Sequence, residues 1–145
     1  MIKKIMVLLL IIIAIEAMAI SDGYRWRLLG TEYGKEHPYC EVCGTGKDIQ
    51  IHHKKPVYLY PELEFEKSNL ITLCKSKYWG FHCHLVVGHG GNFKYENPWI
   101  DEDIEALRVL ASPEYIRDHG EEDREAYIKM MRARCKQYHK ERKGG

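Results

Sequence analysis

The chain has 145 residues and a formal net charge of +1. A chain of this length buries enough apolar surface to fold as one domain without disulfides. The near-neutral charge excludes a histone-like protein that binds phosphates over its whole surface. The charges are segregated, however, with ten acids against three bases in residues 101–125 and seven bases against one acid in residues 129–143. Positive charge is therefore expected in a local site and in a basic tail. The solvent-exposed face of a helix is the alternative interpretation of the basic tail.

The N-terminal segment has the composition of a targeting sequence. Lys3 and Lys4 precede an apolar run from Ile5 to Ile15, and Ala17-Met18-Ala19 supplies a cleavage site of the A-x-A type. An apolar run this short does not reach the length of a membrane span. We predict a signal peptide or membrane anchor over residues 1–19, with a buried helix as the remaining alternative. The protein is then exported, secreted or periplasmic, with a transient membrane contact through this segment.

The central region is predicted to contain a helix followed by two short strands. The helix covers Tyr24 to Glu36 and ends at His37-Pro38. Alternation predicts a strand at Ile49 to Ile51, and the apolar run from Leu70 to Leu73 predicts a second strand that pairs with it. The stretch from Lys54 to Ser68 lacks a period and is predicted to be a long loop, and such loops are usually functional or disordered.

The C-terminal region is predicted to be helical from Pro98 onward. Ser112-Pro113 is a helix start and Gly120 a helix end. The last helix covers about Glu121 to Tyr138, and its apolar stripe is expected to contact the core. The residues of that stripe are Ile128, Met131, Cys135 and Tyr138. Cys135 lies apart from the other four cysteines and is expected to be a free thiol.

Four cysteines in two groups indicate a structural zinc site. Cys40-x-x-Cys43 is a tight turn that directs two thiolates at one point, and Cys74 and Cys83 can complete a tetrahedron. The second pair is widely spaced, so His82 is an alternative to Cys83 as the fourth ligand. Two disulfides are the competing interpretation, because an exported protein reaches an oxidising compartment.

Two adjacent histidines, His52 and His53, end the first predicted strand, where neighbouring side chains point to opposite sides. One imidazole can therefore bind a metal while the other faces a substrate. A histidine pair alone is a weak signal. Further residues with polar, metal-binding or turn-forming side chains follow along the chain: Pro56, Asn69, Cys83-His84 and Gly88-His89-Gly90-Gly91-Asn92-Phe93.

This set of residues resembles the HNH (His-Me finger) endonuclease family, in particular its short phage and bacterial members, over residues 24–97. The resemblance implies an α+β fold with a ββα-metal finger, in which two strands and a helix surround one divalent ion. A zinc knuckle of the four-cysteine type braces the finger, and an N-terminal helix and a helical C-terminal extension flank it. The implied units are a nuclease domain over residues 20–97 and an extension over residues 98–145.

The resemblance also implies a role for each histidine. His53 corresponds to the general base and Asn69 to the asparagine that orients it, while His52 and His84 correspond to metal ligands. His89 is a third ligand or a residue that packs beside the site, because five residues turn an ideal helix by about 140°. The implied reaction is metal-dependent hydrolysis of phosphodiester bonds, leaving 5′-phosphate and 3′-hydroxyl ends. Imidazole ligands favour manganese, nickel, zinc or cobalt, and magnesium is a further alternative.

Lysines around these motifs are predicted to bind nucleic acid by neutralising phosphates without reading sequence. They are Lys54, Lys55, Lys75 and Lys77. The aromatic residues in 78–81 either stack on bases or pack in the interior. DNA is the expected substrate, with RNA as an alternative. Two rival functions are a zinc-braced nucleic-acid-binding module without catalysis and an interaction protein that uses the C-terminal helices.

Overall fold

The computed structural model describes Met6 and residues 22–144, and it has a mixed α+β architecture. Its helices are α1 (Asp22–Glu36), α2 (Ile100–Leu110), α3 (Pro113–His119) and α4 (Glu122–Gly144). Its strands are β1 (Ile49–His53) and β2 (Leu70–Cys74). The predicted signal segment, residues 1–19, falls outside this described part apart from Met6. Within the described part, no helix has the length and apolar character needed to cross a membrane.

The two strands pair antiparallel, as their apolar patterns predict. Ile49 stands opposite Cys74 and His53 opposite Leu70, so the register places a cysteine at one end of the sheet and the histidines at the other. Every residue of β2 is buried, because elements cover it on both faces. Helix α1 is attached to this strand by the Tyr33 hydroxyl, which donates to the Leu70 carbonyl at 2.8 Å.

A five-residue π-type helix, His84–Gly88, follows β2. Its residues Val86 and Val87 are buried. They belong to one apolar cluster that joins the cysteine turn, β2, this π-helix, α2 and α4. The C-terminal helices therefore share their core with the region that carries the cysteines and histidines.

The helical predictions for the C-terminal region are confirmed, with one difference in length. The Ser112 hydroxyl accepts a hydrogen bond from the Tyr115 amide at 3.2 Å and starts α3, and Gly120 ends it at a φ of 85°. Helix α4 continues to Gly144, beyond the predicted end at Tyr138. Its last turns are docked, because Arg142 binds the buried Glu96 carboxylate at 2.6 Å. The apolar pattern that predicted this helix ends at Tyr138, so it gave no sign of the contact that Arg142 makes.

Candidate metal centres

The structure brings four cysteines into one buried cluster. Their sulfur atoms all lie within 4.8 Å of one another, and the cluster could hold a metal ion such as zinc. Cys43 Sγ is 3.5 Å from Cys74 Sγ. Sulfurs around a tetrahedral zinc ion lie about 3.8 Å apart at Zn–S distances of about 2.3 Å, whereas a disulfide bond is about 2.05 Å long. This spacing suits a shared ion better than a covalent bond.

The cysteine cluster combines two parts of the chain. A tight turn supplies Cys40 and Cys43, whereas the end of β2 supplies Cys74 and the residue before the π-helix supplies Cys83. The Gly44 amide donates to the Cys40 carbonyl at 2.9 Å, and Gly44 has a φ of 70°, which glycine adopts without strain. Cys83, rather than His82, completes the set. His82 instead accepts a hydrogen bond from the Leu85 amide through Nδ1 at 3.1 Å. The widely spaced second pair therefore still converges.

The thiols compete for negative charge in this cluster. A hydrogen bond from Cys83 lowers the pKa of Cys40 to about 5, while burial raises the pKa of Cys43 to about 12. The hydrogen bond with Cys40, followed by burial, raises the pKa of Cys83. One thiolate is thus stabilised at the expense of its neighbours. A bound cation supplies the positive charge that lets all of them ionise.

A second cluster consists of His52, His84 and His89, whose ligand atoms also lie within 4.8 Å of one another and could hold a metal ion. His84 Nε2 is 3.2 Å from His52 Nδ1. The ring of His89 lies 4.8 Å from that of His52 and 5.0 Å from that of His84, centroid to centroid. One nitrogen of each of the three imidazole rings is therefore directed at a common point.

His89 reaches this point because the helix before it is wider than an α-helix. A π-type turn has i→i+5 hydrogen bonding, so two residues five apart come round to the same side. His84 begins this helix and His89 directly follows it. His84 and His89, which would lie about 140° apart around an ideal α-helix, are therefore on the same side here. His89 Nδ1 lies 3.0 Å from the Tyr95 carbonyl, which places the proton on Nδ1 and leaves Nε2 for an ion.

The environment of this cluster keeps its imidazoles neutral. Burial, reinforced by the other histidines, lowers the pKa of His52 to about 3. Burial also lowers the pKa of His84 to about 4, with further contributions from neighbouring histidines and from Lys75. The pKa of His89 is lowered by burial as well. Neutral imidazoles have a free nitrogen lone pair at physiological pH, as metal binding requires.

His53 faces away from this cluster, as strand alternation predicts. Its ring stacks on Trp26 of α1, with centroids 4.5 Å apart. Its Nε2 lies 2.8 Å from the Glu64 carbonyl. Because a carbonyl accepts, the proton sits on Nε2, and Nδ1 is left as the acceptor. The side chain is thereby held in one tautomer by residues outside its own strand.

Asn69 ties down the loop that bonds His53. It is buried, and its Oδ1 accepts from the Lys55 amide at 2.8 Å. Its Nδ2 donates to the Leu63 carbonyl at 3.3 Å and to the Lys55 carbonyl at 3.0 Å. Leu63 directly precedes Glu64, so Asn69 fixes the segment whose carbonyl orients the His53 ring. This is the contact pattern that an orienting asparagine needs, while the catalytic role stays a prediction.

The predicted lysines differ in their surroundings. Lys75 lies close enough to lower the pKa of His84, and its side chain is exposed. Lys54 instead pairs with Asp101 at 3.2 Å. Lys55 and Lys77 are exposed. Lys75 is thus the one of these four with a direct electrostatic link to the histidine cluster in the described part of the chain.

Aromatic residues near the two clusters divide into packed and exposed members. Phe81 is buried and Trp79 packs against the core, which favours the packing interpretation for both. Phe93 is 58% exposed, yet its ring centroid lies 5.2 Å from that of His89 and 5.7 Å from that of His84. An exposed ring therefore lies at the mouth of the histidine cluster.

A buried polar network behind the histidines was not predicted from the sequence. Asn97 Nδ2 donates to the Val87 carbonyl and to Asp103 Oδ2, both at 2.7 Å. Asp103 is fully buried and also accepts from Tyr127 at 2.9 Å and from Arg134. These contacts attach α2 and α4 to the π-helix. The only sequence signal was Asp103 directly beside Ile104 on the apolar face of α2, in a stretch whose acids otherwise suggest solvent exposure.

The chain matches no protein-family model, no curated protein and no solved structure.

Proposed function

We propose that the protein is an endonuclease of the HNH type that uses a divalent metal ion to hydrolyse phosphodiester bonds of nucleic acid, DNA above all. One observation carries the proposal. Three imidazoles converge within reach of a single ion, and the next residue after one of them, His53, is an imidazole held in a single tautomer. Phosphodiester hydrolysis requires a metal site and an oriented base, and here consecutive residues at the end of β1 would supply one ligand and the base.

The histidine cluster supplies the ligands for the catalytic ion. His52, His84 and His89 are neutral, half-buried and mutually close, which fits manganese, nickel, zinc or cobalt better than magnesium. When bound, such an ion stabilises the charge that develops on the phosphoryl oxygens and the leaving 3′ oxygen. Three protein ligands leave coordination positions open for the substrate, as in catalytic sites generally.

His53 acts as the general base. Its Nδ1 accepts a proton from the attacking water, while Nε2–H donates to the Glu64 carbonyl. That carbonyl stabilises the positive imidazolium as it forms, and the stacked Trp26 ring adds a cation–π contribution. Asn69 holds the carbonyl in position through its bond to Leu63. The base is thus oriented before the substrate arrives.

The cysteine cluster braces the histidine cluster. Cys74 ends β2, and Cys83 directly precedes His84 at the start of the π-helix. A zinc ion held by these cysteines would fix the strand end and the helix start relative to the turn at Cys40. Such bracing would suit the ββα-metal finger that the resemblance to HNH endonucleases implies.

The purified protein is expected to nick and linearise plasmid DNA in the presence of a divalent metal, and chelation is expected to stop the reaction. The measurement is an agarose-gel assay across manganese, magnesium, zinc, nickel and cobalt, with folding checked by circular dichroism. Intact plasmid under all of these conditions, with folded protein, would contradict the proposal. If such protein still bound DNA, the non-catalytic binding module would be the better explanation.

Two neighbouring substitutions separate the base from the ligands. His53→Ala is expected to lower turnover by at least about a hundredfold with metal affinity nearly unchanged, because it removes only the proton acceptor. His52→Ala, in contrast, is expected to weaken metal binding, because it removes a ligand. Calorimetric metal titration and single-turnover cleavage are measured on both variants. If His53→Ala lost the metal and His52→Ala retained it, the two roles would have to be exchanged.

A further inference from the structure

Helix α4 carries five exposed basic side chains on a single face. They are Lys129, Arg132, Lys136, Lys140 and Lys143, here called the basic stripe. Successive members are three or four residues apart, which is the spacing of neighbours on one side of an α-helix. The stripe is distinct from the buried face of the same helix, which contains Ile128, Met131 and Cys135.

The basic stripe has no acidic partners within residues 22–144, where none of its members forms an ion pair. The other basic residues of α4 do have them. Arg124 pairs with Glu121 at 2.8 Å, Arg142 pairs with Glu96 at 2.6 Å, and Arg134 pairs with Asp103. Positive charge without an ion-pair partner is thus concentrated on one face of this helix.

The helix dipole explains only part of this pattern. Cations are favoured near a helix C-terminus, but the effect falls off within the last turn. Lys129 and Arg132 lie far from that turn. Like charges three or four residues apart repel one another and destabilise an isolated helix. An anionic partner along this face would relieve the repulsion between the five side chains.

The basic stripe lies beside the loop that follows His89. A Cβ atom on Gly91 would lie 2.9 Å from Arg132 Cγ, so the two are in direct contact. Tyr95 lines an open groove of about 760 Å³ together with Lys136, Lys140 and Lys143, and Glu141 is the one acidic residue of its lining. The carbonyl of this same Tyr95 bonds to His89. The stripe thus passes alongside the segment that carries the exposed Phe93 ring.

We propose that the basic stripe binds the sugar-phosphate backbone of the nucleic-acid strand that occupies the histidine cluster. The inference rests on the proposed function for the identity of the substrate. From Lys129 to Lys143 the helix rises about 21 Å, which corresponds to about six phosphate spacings along one strand. Lysine and arginine contacts with phosphates carry no sequence information, so this surface adds affinity and sets direction rather than specificity.

A charge-matched pair of double variants tests the surface in the full-length chain. Lys136→Gln/Lys140→Gln removes two members of the stripe. Lys35→Gln/Lys47→Gln removes an exposed lysine of α1 and one that lies between the cysteine turn and β1, and neither forms an ion pair within residues 22–144. Binding of a fluorescent DNA duplex is measured by anisotropy at several salt concentrations without added divalent metal.

We expect the stripe variant to bind at least about fivefold more weakly and the slope of log Kd against log salt to fall by about one to two, because each phosphate contact contributes about 0.9. The control variant is expected to change affinity by less than about twofold. Equal weakening in both variants, or none in the stripe variant, would overturn the proposal. So would a stripe variant that binds DNA normally but no longer binds phosphatidylglycerol vesicles, because the partner would then be a membrane surface.

A separate readout distinguishes failure of this inference from failure of the proposed function. The wild-type protein is assayed for hydrolysis of bis(4-nitrophenyl) phosphate, a diester too small to reach α4. If wild type hydrolyses neither this compound nor plasmid while the stripe variant shows the expected loss of DNA affinity, the nuclease proposal is wrong and the binding surface stands. If wild type is active and the stripe variant binds DNA like the control variant, the nuclease proposal stands and the inference about the basic stripe is wrong.

Discussion

His52 and His53 are adjacent in β1 and yet have opposite environments. His52 is enclosed by two other histidines, whereas His53 lies between a tryptophan ring and a backbone carbonyl. Strand alternation alone predicts that the two side chains diverge. It cannot predict Trp26 or Glu64 as partners of His53, because these come from α1 and from a loop without periodicity. The divergence of the two side chains was thus predictable from the sequence, but the contacts that enforce it were not.

Gly88 makes room for His52. A Cβ atom there would lie 3.2 Å from His52 Nε2 and 3.3 Å from Leu73 Cδ1, closer than side chains normally tolerate. Gly88→Ala is therefore expected to displace the His52 ring and weaken metal binding at the histidine cluster by at least about tenfold, since overpacking costs about 1–3 kcal/mol.

Gly30→Ala is the matched control for this substitution, because its added methyl group would meet Ile51 at an ordinary 3.7 Å. Titration calorimetry with manganese and nickel measures both variants. Equal metal affinities in the two would show that the close approach of Gly88 does not position His52.

The elements were largely predictable, but their connections were not. Periodicity and capping residues predicted α1, α3 and the core face of α4, since these signals are local. The π-helix has no sequence pattern of its own, and it is this helix that brings His89 to His84. The Asp103–Arg134 pair also escaped prediction, because two residues far apart in sequence must meet before a buried charge becomes favourable.

The network around Asp103 is expected to hold the C-terminal helices to the histidine region. Asp103→Asn leaves the Arg134 guanidinium, which is largely shielded from solvent, without its carboxylate. This should lower the free energy of unfolding by about 3 kcal/mol. Asp101→Asn breaks only the exposed pair with Lys54 and should cost less than about 1 kcal/mol. Urea unfolding followed by tryptophan fluorescence compares them, and similar losses would argue against a structural role for the buried pair.

In the whole molecule, the two metal-capable clusters are physically joined. Cys83 and His84 are consecutive, and Cys74 ends the strand that pairs with the histidine-bearing β1. The sequence predicted that the four cysteines would converge, because a Cys-x-x-Cys turn and two later cysteines have few other compact arrangements. The sequence also favoured zinc over disulfides, because a Cys-x-x-Cys turn suits a metal better than a structural disulfide, although the predicted export signal favours the opposite chemistry. The buried, closely spaced sulfurs favour the metal.

Zinc is therefore expected to remain with the protein through purification, and its removal should lower the melting temperature by at least about 10 °C, because binding is coupled to folding. Cys40→Ser should lose the ion. Cys135→Ala is the control and should retain it, because Cys135 is a free, buried thiol of α4 whose sulfur lies 3.5 Å from Asn97 Oδ1. Native mass spectrometry counts bound zinc, and thiol labelling of denatured, unreduced protein counts free cysteines.

Bound zinc with five labelled cysteines would support the metal site. A mass lower by two disulfides, no zinc and a single labelled cysteine would show a covalent framework instead. Chelation then tests the joining of the two clusters. Because Cys83 directly precedes His84, loss of the structural ion should also weaken manganese binding at the histidines, whereas independent clusters would leave that affinity unchanged.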